Sequence, residues 1–318
     1  MHDTHILDSK LHISEEGLKH GSRLLTKNNL LLLVRGSMLW NTIPICLNKN
    51  DVAFNQDVKG IIANDTINNE FLLYWLKSKE QRLKYMVTGT GLGAGKLDTS
   101  DLLSMIVYIP AMKEQDKVAR LLSLFDERIA TQSKIIDKLK SLIKGISKQL
   151  LINNQNWRTV RIGEFLRIGN GKDYKHLGIG KIPVYGTGGQ MLLVNDYLYD
   201  GESVCIGRKG TIDTPMFLKG KFWTVDTLFY TYDFKDVLPK FCYYLFLQIN
   251  WKLYNEGTGV PSLSKSTTEN IKVKIPSLEQ QQKICSVLDC YEHKTKSEEQ
   301  ILELYLSEKQ YLLRQMFI

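Results

Sequence analysis

The chain has 318 residues, 43% of them hydrophobic and 24% charged, which suffices for two packed domains. No apolar run approaches the roughly 18 residues of a membrane-spanning helix, and five cysteines (Cys46, Cys205, Cys242, Cys285, Cys290) without a Cys-x-x-Cys pair argue against a disulfide framework or zinc ligation. The formal net charge of +8 and pI of about 9.0 point to an anionic partner, of which nucleic acid is the commonest.

The polar start, Met1 to His5, carries no signal-peptide hydrophobic stretch and leaves the cytoplasm as the default location. An apolar run from Leu30 ends in Val34-Arg35-Gly36, which places Arg35 in a basic turn that either meets DNA or is simply solvated. Further on, Gly89-Thr-Gly-Leu-Gly-Ala-Gly-Lys96 invites a phosphate-loop reading, but Thr90 and Leu97 stand where the Walker spacing needs glycine and serine or threonine. Two readings remain for it: a structural turn, or a loop whose backbone amides approach a DNA phosphate with Lys96 adding charge.

Residues 109–151 then read as one long helix opened by Ile109-Pro110, because proline keeps the residue before it extended. Val118, Leu122, Phe125, Ile129, Gln132, Ile136, Leu139, Ile143, Ile146 and Leu150 alternate steps of four and three, the spacing of a coiled-coil seam. About 40 helical residues span roughly 60 Å, more than a small core can cover. Such a helix either lies on its own domain or packs on another helix.

Residues 153–274 carry short β-type runs, at Trp157–Ile162, Ser203–Ile206, Lys221–Val225 and Thr227–Tyr232, followed by a helical stretch from Leu238 to Leu253. A twisted, mostly antiparallel sheet with one or two helices is expected. Its basic loops are Gly171–His176, with Lys172, Tyr174 and Lys175, and Ile206-Gly-Arg208-Lys209-Gly210; each either contacts DNA or is solvated. A glycine turn with Thr258 leads through Ser264 to Lys265, a second cation suited to a phosphate.

The chain then repeats itself. Residues 275–317 align with 109–151 without a gap, offset by 166 residues, and Ile284, Leu288, Tyr291, Thr295, Glu298, Leu302, Tyr305, Lys309, Leu312 and Met316 hold the seam positions. Lysines dominate the first copy (Lys134, Lys138, Lys140, Lys144, Lys148) and glutamates the second (Glu292, Glu298, Glu299, Glu303, Glu308), which favours pairing of the two helices. One helix leads out of the first domain and the other returns from the second, so antiparallel packing is expected. The segment before the first helix also echoes 203–259 in order: Val34-Arg35-Gly36 answers Arg208-Lys209-Gly210, Asn55–Asp57 answers Thr224–Asp226, Phe71–Leu76 answers Phe241–Phe246, and Gly89–Gly91 answers Gly257–Gly259. Only Trp157–Gly189 lacks a counterpart, so the first domain reads as N-terminally incomplete.

No His-Glu-x-x-His, Gly-x-Ser-x-Gly, Pro-Asp or Asn/Asp-Pro-Pro-Tyr motif occurs, no metal site is legible, and His176 and His293 read as surface residues. With these motifs assembled, the chain resembles the specificity (S) subunit of type I restriction–modification systems. The similarity rests on the two Ile-Pro-x-x-x-x-Gln-x-Lys-(Val/Ile) helix starts, Leu150-Leu151, Leu312–Phe317, Lys181–Gly189, and Ile13-Ser-Glu-Glu-Gly17 before Leu30–Gly36. It implies an α+β protein with two DNA-recognition domains of twisted sheet plus helices, joined by an antiparallel two-helix spacer. The expected division is 1–108 and 153–274 for the domains, 109–152 and 275–318 for the helices.

The resemblance further implies binding of a split asymmetric site on double-stranded DNA, with no catalysis by this chain. Two methyltransferase subunits binding S-adenosylmethionine, and restriction subunits using ATP and Mg2+, are the implied partners. The second domain is expected to read its half-site and the first to be compromised. The competing readings are a coiled-coil scaffold that binds no DNA and a silent truncated cassette.

Overall fold

The computed structural model describes residues 4–9, 11–91, 93–152 and 157–317. The polar residues Met1 to Asp3, Leu92 of the glycine-rich run and the start of the second domain at Asn153 lie outside them. Two compact units emerge, Met1–Ile135 with Glu298–Ile318, and Ile136–Ser297.

Unit 1 opens with β1 (His5–Ile6), α1 (Glu15–Gly21), β2 (Arg23–Leu25), β3 (Leu30–Leu33), β4 (Arg35–Gly36), β5 (Ile45–Asn48), β6 (Val52–Phe54) and β7 (Val58–Ile61). It continues with α2 (Asn69–Ser78), α3 (Glu80–Tyr85), β8 (Thr88–Gly89), β9 (Gly95–Lys96), α4 (Thr99–Leu103) and the long α5 (Met112–Ile152), whose second half belongs to unit 2. The main sheet runs β1-β5-β3-β7. Side chains alternate across a strand: Leu30 and Leu32 pack in the core with Phe71, Tyr74 and Trp75 of α2, while Leu31 faces Leu25 and Cys46 on the other side.

Unit 2 contains β10 (Arg158–Arg161), α6 (Ile162–Phe165), β11 (Arg167–Asn170), β12 (Ile179–Gly186), β13 (Gly189–Val194), β14 (Tyr199–Gly207), β15 (Met216–Thr224) and β16 (Leu228–Tyr232). After these come α7 (Pro239–Phe246), α8 (Lys265–Asn270), β17 (Lys272–Ile275) and the long α9 (Leu278–Met316), whose second half belongs to unit 1. The sheet runs β11-β16-β14-β15-β12-β13, antiparallel except where β12 joins β15 in parallel. β10 pairs separately with β17.

The expected helix at Leu238–Leu253 ends early, at Phe246, and resumes as a 3-10 turn at Trp251–Tyr254. The break lets Trp251 bury itself to 1% exposure while its indole N–H donates to the Phe246 carbonyl at 2.9 Å, satisfying a helix-end acceptor. The reading that all of Trp157–Gly189 lacks a counterpart is also corrected. β1 lies parallel to β5 on the edge that corresponds to the one beside β15 that the C-terminal end of β12, Val184–Tyr185, takes in unit 2.

In both units the first turn of a long helix is locked to the globular part by the same glutamine. Gln115 Nε2 donates to the Thr66 and Pro110 carbonyls at 3.0 and 2.9 Å, and its Oε1 accepts from Asn68 N at 2.8 Å. Gln281 Nε2 donates to Asp236 and Pro276 at 3.0 Å each, and its Oε1 accepts from Leu238 N at 2.8 Å. Both are fully enclosed, and each satisfies backbone groups next to α2 or α7.

The seam forms within each unit. In unit 1, Leu122 is buried, Val118, Phe125 and Ile129 are half-buried, and Leu302 and Leu312 of α9 lie inward. In unit 2, Ile136, Ile284 and Leu288 are buried and Leu139 is half-buried. Antiparallel order follows from the contacts: Gln132 donates to the Glu298 carbonyl and carboxylate, and Asp126 pairs with Lys309. Gln132 and Glu298 are themselves repeat-equivalent, 166 residues apart. Antiparallel copies of one sequence meet at equivalent positions at a single level, and here both polar seam residues share it.

Asp126 also accepts from Tyr74 Oη at 2.8 Å, tying α2 to the seam. Burial pushes the Asp126 carboxyl up, but Lys309, Lys77 and the Tyr74 hydroxyl outweigh it, and the group titrates below its usual range. Glu70, with His5 Nε2 3.5 Å away and Lys49 Nζ donating to it at 3.2 Å, is held at about 2. A carboxyl whose pKa is depressed by folding stabilises the native state above its unfolded value, near 4, and that contribution is lost as pH falls through the folded value. Unit 1 therefore loses melting temperature progressively below pH 5, and Asp126→Asn with Glu70→Gln flattens the profile in a calorimetric pH series.

Candidate nucleic-acid interface

Strand β14 delivers the basic turn of unit 2. Arg208 N and Lys209 N both donate to the Thr227 carbonyl, at 2.8 and 3.2 Å, and Gly210 N donates to Pro261 O at 2.8 Å. Gly210 has φ +96°, a conformation that any Cβ would strain. The glycine-rich loop closes over this turn: Leu263 N donates to Arg208 O at 2.8 Å, and Lys209 bridges to Ser262. Asn255 holds the loop shut, its Oδ1 accepting from Gly257 N and Ser262 N at 2.9 and 2.8 Å. A Cβ on Gly257 would fall 2.1 Å from the Val260 carbonyl, which explains the glycine.

Turn and loop frame an open cleft of about 660 Å³ lined by Asn170, Arg208, Lys209, Asp226, Thr227, Phe229, Glu256, Ser262, Leu263, Ser264 and Lys265. The Arg208 guanidinium stands 5.8 Å from the centre of the Phe229 ring. Ser264 caps α8 by accepting from Thr267 N at 3.1 Å and donates to Glu256 at 2.9 Å, so its hydroxyl is already engaged. Hydrogen bonds from Thr267 and Ser264 hold the Glu256 carboxyl below its ordinary range. Lys265 lies 3.7 Å from Glu269. The result is a polar groove with cations able to meet phosphates or the guanine O6/N7 edge, and carboxylates able to accept from cytosine N4.

Of the residues singled out from the sequence, the cleft brings together Arg208, Lys209, Ser264 and Lys265. Thr258 is exposed on the loop outside the lining. Lys172 and Lys175 are exposed on the neighbouring loop, whose backbone is fixed by Lys172 N to Thr224 O at 2.8 Å and by the Trp223 indole to Lys172 O at 2.9 Å. Tyr174 is half-buried against Val184, Val194 and Trp223 and serves packing. Asn170, at the end of β11, and Asp226 and Glu256, in two separate loops, also line the cleft, and no shared motif in the sequence links the three.

Unit 1 repeats the construction. Val34 N and Arg35 N both donate to Asp57 O, at 2.8 and 3.2 Å, and Leu97 N donates to Val34 O at 2.8 Å. These bonds match those of Arg208, Lys209 and Leu263, so Arg35 answers Lys209, and Lys96 answers Ser262 rather than Lys265. Arg35 pairs with Lys96 across β4 and β9, and Lys96 Nζ lies 2.5 Å from Asp98. Trp40, 49% exposed, donates from its indole to Gly93 O at 3.1 Å and adds an aromatic face that the sequence reading missed. Among the described residues no cluster of His, Cys, Asp and Glu could hold a metal ion.

A basic turn bonded to a glycine-rich loop, built twice and braced each time by halves of two repeated helices, defines a duplicated nucleic-acid-reading protein. The chain belongs to the type I restriction modification DNA specificity domain family, whose model matches residues 5–141 and 154–304. It is the non-catalytic specificity subunit of a type I restriction–modification system. It is 25% identical to the type I restriction enzyme MjaVIII specificity subunit of Methanocaldococcus jannaschii, over 87% of this chain and 76% of that one. With the EcoR124I/EcoR124II specificity subunit of Escherichia coli it shares 28% identity over 37% of this chain and 30% of that one. The fold is that of the crystallised S subunit from M. genitalium, with a TM-score of 0.67 and 20% identity, covering 93% of this chain and 84% of that one. No helix among the described residues is long and apolar enough to cross a membrane.

Proposed function

We propose that the chain reads a split, asymmetric site on duplex DNA, each unit contacting one half, with the paired helices setting the gap between halves. The recurrence in both units of the basic turn hydrogen-bonded to a glycine-rich loop supports this most directly. Arg208, Lys209 and Lys265, with Lys172 and Lys175 beside them, contact one half-site; Arg35 and Lys96 contact the other more weakly, since Lys96 is already engaged by Asp98. Two methyltransferase subunits and the restriction subunits assemble around it in the cytoplasm, and they bring S-adenosylmethionine, ATP and Mg2+. Methylome sequencing of a host with and without the gene tests the reading: a split adenine-methylation motif that depends on the gene is expected, and an unchanged methylome despite complex formation would sink it.

A further inference from the structure

Cations dominate the cleft of unit 2, yet one carboxylate stands among them without being neutralised. Glu256 lines the cleft together with Arg208, Lys209 and Lys265, and among the described residues it forms an ion pair with none of them. Neutral groups hold it instead. Its Oε1 accepts from Ser264 Oγ at 2.9 Å and from the Thr267 hydroxyl, and its backbone N–H donates to the Ser262 carbonyl at 2.9 Å. Its Oε2 accepts from no protein group among the described residues, so one oxygen is fixed and the other is left open.

The loop itself does not need this carboxylate. Unit 1 builds the same turn and loop with Thr88 at the equivalent position, just before Gly89 as Glu256 stands just before Gly257, and its hydroxyl only donates to Lys96 O at 3.3 Å. There the acid sits at the helix cap, Asp98 answering Ser264, and it engages Lys96. Unit 2 keeps cation and carboxylate apart. A fixed negative charge repels phosphate, and it lowers affinity for a polyanion unless it meets a donor, which makes it a device for rejecting wrong partners. On the major-groove edge guanine shows the acceptors N7 and O6, adenine N7 beside its amino group and thymine O4, whereas cytosine shows the N4 donor and no acceptor. Resting on the DNA-reading role proposed above, we infer that Glu256 is a specificity-determining residue of unit 2, its open carboxylate oxygen accepting from cytosine N4 and rejecting the other three bases at one position of the half-site. Ser264 and Thr267 are positioning residues, because they orient the carboxylate without cancelling its charge.

The test selects duplexes from a random pool with the chain assembled with its methyltransferase subunits, wild type and Glu256→Gln in parallel. Glu256 is exposed, and the amide keeps an oxygen for Ser264 and Thr267 while presenting a donor in place of the open acceptor, so the fold is retained. Wild type is expected to select cytosine at one position of the sharply defined half-site. Glu256→Gln lowers that preference about fivefold or more, with acceptor-bearing bases gaining there and every other position unchanged. An unchanged consensus, a uniform rise in affinity for all sequences, or selectivity lost at a base other than cytosine would overturn the inference and leave the split-site reading standing. A wild-type complex that enriches no sequence would overturn that reading, and this inference with it.

Discussion

Replacing Arg208 and Lys209 together by alanine is expected to weaken DNA binding about 10- to 100-fold near 100 mM salt and to lower the slope of log K against log salt by about 2. Each phosphate contact releases roughly 0.9 counterion from B-DNA, so two lost cations carry that slope change, and a bidentate guanine contact adds about 1–3 kcal/mol of base discrimination. Both side chains are exposed, and the turn is held by backbone bonds to Thr227 and Pro261 that alanine leaves intact. Folding is therefore preserved, and fluorescence anisotropy across a salt series reads the loss cleanly. Arg208→Lys separates the roles: it keeps the phosphate attraction and loses any bidentate base contact, so the slope stays while sequence preference relaxes.

The second large effect concerns the seam. Leu122 and Leu288 are both 0% exposed, one in the core of each unit, and truncating either to alanine costs about 2–5 kcal/mol through lost burial and the cavity left behind. For units of this size that shifts the melting temperature by roughly 5–15 °C. Leu304, 67% exposed on the same helix as Leu288, serves as control, and Leu304→Ala changes stability by about 0.5 kcal/mol or less. Calorimetry distinguishes the two cores: Leu122→Ala lowers the transition of unit 1 and Leu288→Ala that of unit 2.

The helices were legible because a seam of period 3.5 leaves its trace in any single copy, and the ungapped repetition supplied a second. The Gln115 and Gln281 locks stood within the quoted helix-start motif, yet their role depends on Thr66 and Asp236, more than 40 residues away, which no local pattern connects. β1 has two residues, too few for any alternation to register, and it is defined only by its pairing with β5. In the cleft, Arg208 and Lys209 advertised themselves by charge between two glycines, and Lys265 by charge shortly after a glycine turn. Asp226 and Glu256 did not, because an isolated carboxylate in a polar loop carries no signal until folding brings it to the wall of the same cleft. The break after Phe246 follows from the burial of one tryptophan, a tertiary demand overriding helix propensity.

The central claim, that this chain reads DNA sequence, is tested most directly by assembling it with its methyltransferase subunits and selecting bound duplexes from a random pool at 150 mM salt. A bipartite consensus is expected, one half sharply defined and lost in the Arg208→Ala, Lys209→Ala variant, the other weaker. Recovery of unenriched sequence from a well-formed complex, or a consensus indifferent to that variant, would contradict it.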